Sequence, residues 1–258
     1  MDNNIFTISH LHFAYGKQAV IKDLSMQLHE GKITTIIGAN GCGKSTLFNL
    51  LTKNLIPQSG VIQLQDDNIQ NIKLKDFAKK VAIVHQYNTA PSDITVEKLV
   101  SYGRTPYHRL GKKSDATLDE EKIKWALEIT HTDKYKDKFV SELSGGQKQR
   151  VWIAMALAQD TKVLFLDEPT TYLDIRYQLQ ILKLIKTLNR EYGITIIMVL
   201  HDINQSLYYS DEIIAMKDGQ VVAQGLPEEI ISQSLVYDIY DVKLDVTKVD
   251  EKPFVIPV

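Results

Sequence analysis

Cysteine is nearly missing from this sequence. Cys42 stands alone among 258 residues, so no disulfide can close within the chain and a reducing compartment is expected. Long apolar runs are missing as well. Ile194–Leu200 is among the longest, far short of the ~18 residues that suggest a membrane span, and it reads as a buried strand. Neither sign of charge dominates: 30 Lys and Arg face 32 Asp and Glu, a formal net charge of −2, which argues against a nucleic-acid partner. Met1–Asn4 lacks the basic-then-apolar form of a secretory leader, so a cytoplasmic location is the expectation. There is no internal repeat and no low-complexity tract. What remains is a chain with 44% hydrophobic residues, enough for one large α/β domain or a domain carrying an insertion.

The most informative segment is Gly38-Ala-Asn40-Gly41-Cys42-Gly43-Lys44-Ser45-Thr46, which satisfies the phosphate-loop pattern at every required position. It follows the apolar Ile33–Ile37 and precedes Leu47–Leu51, the strand–turn–helix context that the pattern needs. Small residues let successive backbone N–H groups turn inward around a phosphate chain, and the helix N-terminus adds partial positive charge. Lys44 is placed to reach the outer phosphates, and the Ser45 hydroxyl to ligate Mg²⁺. A bound nucleoside triphosphate follows. Cys42 is read as a small residue suited to the turn, in preference to a redox switch.

Short β-prone runs open the chain at Ile5–Ile8, Leu11–Ala14 and Gly60–Leu64. A strand at Lys80–Val84 ends at His85-Gln86. From there to about Gln159 the pattern is helical, with helices expected over Val96–Gly103 and Leu118–Thr130, the second opening on Asp119, Glu120 and Glu121. Between them lies a polar, turn-rich stretch containing Arg104, His108, Arg109, Lys112 and Lys113, open to two readings: a solvated loop, or a basic surface for anionic headgroups or the acids of a partner protein. Parallel α/β logic resumes with strand Lys162–Leu166. A helix marked by Ile175, Leu179, Leu182, Ile185 and Leu188 follows and stops before Gly193; then come strand Ile194–Leu200, helix 203–209 and strand Glu212–Met216. Residues 235–258 form a small C-terminal appendage whose pattern says little.

Two more segments carry chemistry. Val163–Leu166 runs directly into Asp167-Glu168, which presents two carboxylates at the carboxyl end of a buried strand, where α/β folds bind ligands. One can hold Mg²⁺ and its neighbour can accept a proton from attacking water. Leu143-Ser144-Gly145-Gly146-Gln147 precedes the helical run Lys148–Ala158, with Ser144 a natural N-cap. A cap explains the serine but not two glycines, each of which weakens a helix by about 1 kcal/mol. Bare backbone at a positive helix end suits a second anion site.

In the order and spacing of Gly38–Thr46, Leu143–Gln147, Val163–Glu168, Asp174 and His201, the chain resembles the ABC-type ATPases over nearly its whole length. The resemblance implies an α/β fold: a P-loop, RecA-like ATPase core with an N-terminal antiparallel β subdomain and an inserted α-helical subdomain. It divides the chain into a core of residues 1–86 and 160–234, a helical subdomain of residues 87–159, and the appendage. It further implies that Glu168 is the general base, His201 the γ-phosphate-sensing switch, and Gln86 and Asp167 partners of Mg²⁺ with Ser45. Tyr15 would stack on adenine, and Asp174 would bridge two subunits. Ser144, Gly145, Gly146 and Gln147 would meet the ATP held by the other copy of a head-to-tail homodimer.

Single motif copies, no membrane span and no long heptads leave the free-standing ATPase of an importer. It would sit on the cytoplasmic face of a membrane beneath a separately encoded permease, fed indirectly by an extracytoplasmic substrate-binding protein. Thr171-Tyr172 before Leu173-Asp174, where the general family pattern has Ser-Ala, resembles importers of ferric siderophores, haem or cobalamin. Tyr102-Gly-Arg-Thr-Pro-Tyr-His108 and Cys42 point the same way, with ferric siderophore as the leading expectation. His85 replaces the proline often found before the glutamine. Other metal-ion importer ATPases, and a soluble regulatory or DNA-associated ABC ATPase, are the alternatives.

Overall fold

The computed structural model describes residues 3–108 and 115–256. In chain order the elements begin with β1 (Asn4–Tyr15), β2 (Gln18–His29), β3 (Ile33–Gly38), α1 (Lys44–Leu51), β4 (Ser59–Leu64) and β5 (Asp67–Asn68). Next come α2 (Leu74–Phe77), β6 (Val81–Val84), α3 (Val96–Ser101), α4 (Ala116–Ile129), α5 (Gly145–Ala158), β7 (Val163–Asp167) and α6 (Ile175–Tyr192). The chain continues with β8 (Thr195–Val199), α7 (Ile203–Tyr209), β9 (Glu212–Lys217) and β10 (Gln220–Gly225). It closes with α8 (Pro227–Ile230), α9 (Gln233–Tyr240), β11 (Asp245–Val249) and β12 (Lys252–Ile256). Two compact units result: Met1–Ile72 with Thr195–Val258, and Lys73–Ile194.

The first unit holds an antiparallel sheet in the order β2-β1-β4-β5. What the sequence suggests as two short runs is one twelve-residue strand, β1, bent where His10 takes a positive φ opposite Asp23, which does the same. These irregularities break the two-residue alternation, as bulges do, and this hides β2 from a period-based reading. Its inward residues are Ile21, Leu24, Met26 and Leu28, spaced three, two and two. In the same unit β3 pairs in parallel with β8 on one side and β9 on the other, and β10 folds back antiparallel on β9. Every residue of β3 is buried. Its side chains are apolar or Thr, and the hydroxyls of Thr34 and Thr35 are satisfied by Glu212 and Ser210. Such a strand is a fixed base for the loop that follows it.

In the second unit β6 and β7 pair in parallel, register Val81↔Val163 through Val84↔Leu166, and α3, α4 and α5 pack on one another. The stretch after α3, expected to stay helical to Gly103 and then loop out, is instead a 3-10 helix over Tyr102–Tyr107. Arg104 does not face solvent. It is 2% exposed, donates to Asp119 at 2.7 Å and to the Ala158 carbonyl at 2.8 Å, and lies 4.0 Å from the Tyr107 ring centroid. A buried guanidinium needs such a carboxylate, and Asp119 supplies it while accepting a second bond from His108 at 3.0 Å. The basic-surface reading therefore fails for Arg104; Arg109, Lys112 and Lys113 lie outside the described residues.

Candidate functional site

The phosphate loop is built on glycines that no other residue could replace cheaply. Gly38, Gly41 and Gly43 have φ of 153°, 81° and 108°, the region that costs an L side chain strain. At Gly38 a Cβ would also stand 2.4 Å from the Met216 carbonyl oxygen and 2.7 Å from Cys42 Sγ. Gly43 is the N-cap of α1, with no side-chain cap and no acidic residue in the first turn, so the helix end keeps its positive character. The loop is pinned from below by a residue that motif reading passes over: Gly219 donates to the Cys42 carbonyl at 2.9 Å and accepts from Lys22 N–H at 3.0 Å. The Asp218-Gly219 turn between β9 and β10 was a legible signal for it.

Lys44 is 6% exposed and donates to the carbonyls of Gly38 at 2.8 Å and Ala39 at 2.9 Å. Its ammonium thus lies over the loop. Asn40, Gly41 and Ser45 are open to solvent, whereas Thr46 is buried. Cys42 is buried beneath the loop, and burial pushes its thiol pKa up, which favours the unreactive protonated form. Positive-φ glycines, an uncapped helix end, a lysine and an exposed Ser45 hydroxyl form a donor set that fits a Mg²⁺-bound polyphosphate.

Tyr15, at the end of β1, is half exposed and meets Phe13 edge-on at 4.9 Å between centroids. His201 is exposed and follows β8 by two residues. Asp202 then caps α7, accepting from Gln205 N–H at 2.9 Å.

In the second unit the strand register settles a pairing that spacing alone leaves open. Gln86 and Glu168 each lie two residues past the Val84↔Leu166 pair, so parallel strands deliver them side by side. Gln86 Nε2 donates to Glu168 Oε2, which also accepts from Thr171 Oγ1 at 3.2 Å. Glu168 is held at a positive φ of 49°. Asp167, at the end of β7, is half-buried. Burial lowers the His85 pKa, keeping that ring neutral beside the pair. Tyr87 and Tyr172 add an outer contact, hydroxyl to hydroxyl, at 3.0 Å.

Ser144 caps α5 in a reciprocal box: its hydroxyl accepts from Gln147 N–H at 3.4 Å, and Gln147 Oε1 accepts from Ser144 N–H at 2.9 Å. Gln147 Nε2 donates to the Tyr135 hydroxyl at 2.9 Å, a partner 12 residues away that no local pattern reveals. Gly146 is packed: a Cβ there would lie 2.4 Å from Tyr177 Cδ1. Tyr177 is set in turn by Asp174, whose carboxylate caps α6 by accepting its N–H at 2.9 Å. Gly145 has room, its would-be Cβ meeting only Leu173 Cδ2 at 3.7 Å.

Fold and loop define a P-loop nucleotide-binding α/β protein. The ABC transporter family model matches residues 21–171. The iron(3+)-hydroxamate import ATP-binding protein FhuC of Bacillus subtilis (strain 168) is 43% identical over 244 residues, 94% of this chain and 90% of that protein. The ferric enterobactin transport ATP-binding protein FepC of Escherichia coli (strain K12) is 43% identical, over 90% and 86% of the two chains. Among solved structures, the dimeric bacterial ABC transporter cassette MJ0796 superposes with a TM-score of 0.74 at 26% identity, covering 86% of this chain and 98% of that one. The chain belongs to the ABC transporter family, and it is an ATP-binding, ATP-hydrolysing member.

Proposed function

We propose that this chain is the ATPase subunit of an importer for ferric siderophores or a closely similar iron complex. It would act as a homodimer on the cytoplasmic face of a membrane, beneath a separate permease. The observation that carries the cargo is the likeness to FhuC along 94% of the chain and 90% of that relative. No helix among the described residues is long and apolar enough to cross a membrane, which accords with a permease on another chain.

The residues divide the work. The Gly38–Thr46 backbone and Lys44 bind the phosphates, and Lys44 exchanges the Gly38 and Ala39 carbonyls for phosphate oxygens. Ser45, Gln86 and Asp167 would hold Mg²⁺, which offsets phosphate charge when bound. Tyr15 offers its face to the base. Glu168 takes the proton of the attacking water, and Gln86, whose amide donates to Glu168 Oε2, orients that carboxylate. His201 senses the γ-phosphate. Residues 87–159 act as the helical subdomain that carries Ser144–Gln147 to ATP on the second copy, with Asp174 at the junction.

Glu168→Gln should bind ATP normally, lose turnover by about 100-fold or more, and accumulate as a dimer in size-exclusion chromatography with ATP. Wild-type turnover would remove Glu168 from its role. Captured from gently solubilised membranes with ATP, the same variant should bring a polytopic permease, and the associated binding protein's ligand reports the cargo. Recovery of a soluble dimer alone would overturn the importer reading.

A further inference from the structure

The segment that sequence leaves blank is fastened to both nucleotide-facing elements of its own unit. Residues 227–256 lie outside the 21–171 match to the family model. The hairpin β11–β12 is tied to α7, the helix that starts directly after His201-Asp202. Asn204 Nδ2 donates to the Val255 carbonyl at 2.9 Å, and Asn204 Oδ1 accepts from Val255 N–H at 2.8 Å. One amide side chain thus completes both backbone groups of one residue, mimicking an added strand. Lys252 Nζ donates to the Tyr208 carbonyl at 2.6 Å, near the far end of the same helix. Two attachments on one two-turn helix fix its direction as well as its position.

The apolar side of the same segment reaches the phosphate loop's strand. Val236 and Ile239 of α9 and Val255 of β12 share a core with Leu207 of α7 and Ile37, the residue before Gly38. Tyr240 packs against that cluster. Burial pushes its pKa up to about 12, so the hydroxyl stays neutral.

We propose that residues 227–256 are a brace on the ATPase site, and that Asn204 is the positioning residue through which the brace aims His201. The inference rests on the reading of His201 as the γ-phosphate sensor. An ångström-scale displacement can cost about 100-fold in rate when it moves a reacting group. A helix released at two points supplies part of that. The brace meets the site's elements at Ile37, before Gly38, and at the helix that follows His201, so its loss should lower kcat far more than it raises KM.

The test is steady-state ATP hydrolysis by the purified full-length chain, with kcat expressed per ATP-binding site from titration with a non-hydrolysable analogue. Asn204→Ala should lower kcat roughly tenfold and change KM by less than about twofold. Asn204→Asp keeps the acceptor for Val255 N–H but loses the donor, and should fall between. Asn3→Ala removes a surface contact outside the brace, Asn3 Nδ2 to Glu30 Oε2 at 2.9 Å, and should leave kcat unchanged. Lys252→Ala, a surface change, should lower kcat in the same sense as Asn204→Ala and covers the case in which Asn204→Ala does not fold. Wild-type kcat per site in Asn204→Ala and Lys252→Ala, or equal losses in Asn3→Ala, would overturn the brace. His201→Ala separates the two readings: if it hydrolyses ATP at the wild-type rate, the sensor assignment itself fails. If it is inactive while Asn204→Ala is normal, only the brace fails.

Discussion

The two glycine-bearing turns, Gly38–Thr46 and Leu143–Gln147, both launch a helix, yet their glycines answer to different forces. In the first, glycine is demanded by backbone shape: three positive φ values and a helix end with no side-chain cap. In the second, Ser144 and Gln147 cap the helix fully, and neither glycine has a positive φ. Gly146 is there because Tyr177 occupies the space a methyl would need. Gly145 is required by neither shape nor packing among the described residues. A residue that costs helix stability and serves nothing inside its own fold points outward, which supports the assignment of this turn to a phosphate on a second copy.

This contrast can be broken at each glycine. Gly38→Ala faces both an unfavourable φ and the Met216 carbonyl, and should cost about 3 kcal/mol, seen as a lowered urea midpoint with loss of nucleotide binding. Gly146→Ala should cost about 1–3 kcal/mol by overpacking, and shortening Tyr177 in the double variant should return part of it. Ser144→Ala should cost about 1 kcal/mol through the lost cap. Gly145→Ala should move stability least, within about 0.5 kcal/mol, because the added methyl meets only an ordinary contact. Its hydrolysis should nevertheless fall, with monomer ATP affinity unchanged. If Gly145→Ala hydrolyses normally, the outward role of this turn is wrong.

A smaller effect sharpens the account of the second unit. Burial raises the Asp119 pKa, but hydrogen bonds from Arg104 and His108 outweigh it and hold the carboxyl below its usual range. A depressed carboxylate contributes stability that is present above the unfolded pKa and is lost as pH falls through the folded one. The difference in urea midpoint between wild type and Asp119→Asn should therefore be constant from pH 7 to about 5 and shrink below about 4. A difference that grows on acidification would contradict the ion pair.

The chemistry-bearing turns were legible because each is local: a phosphate loop, a capped glycine pair and a strand ending in acids are contiguous patterns whose physics acts over a few residues. Strand β2 was not, because bulges at His10 and Asp23 shift its inward residues out of strict alternation. Arg104 read as a surface cation, since charge is normally solvated and only Asp119, 15 residues away, makes its burial tolerable. The C-terminal segment offered no motif because its partners are elsewhere: Asn204 is 51 residues from Val255.

What the residues themselves determine here is the kind of chemistry. Glycines that take positive φ without strain, a lysine and serine after them, and carboxylates at a strand end select phosphate and water whatever surrounds them. Which groups are engaged, and which are free to act, was decided by tertiary structure. The β6–β7 register brings Gln86 onto Glu168, the ring of Tyr177 makes Gly146 obligatory while leaving Gly145 open, and Asn204 joins the last strand to the helix behind His201. Those are contacts between residues distant in sequence, set by strand pairing and packing, and no local pattern encodes them.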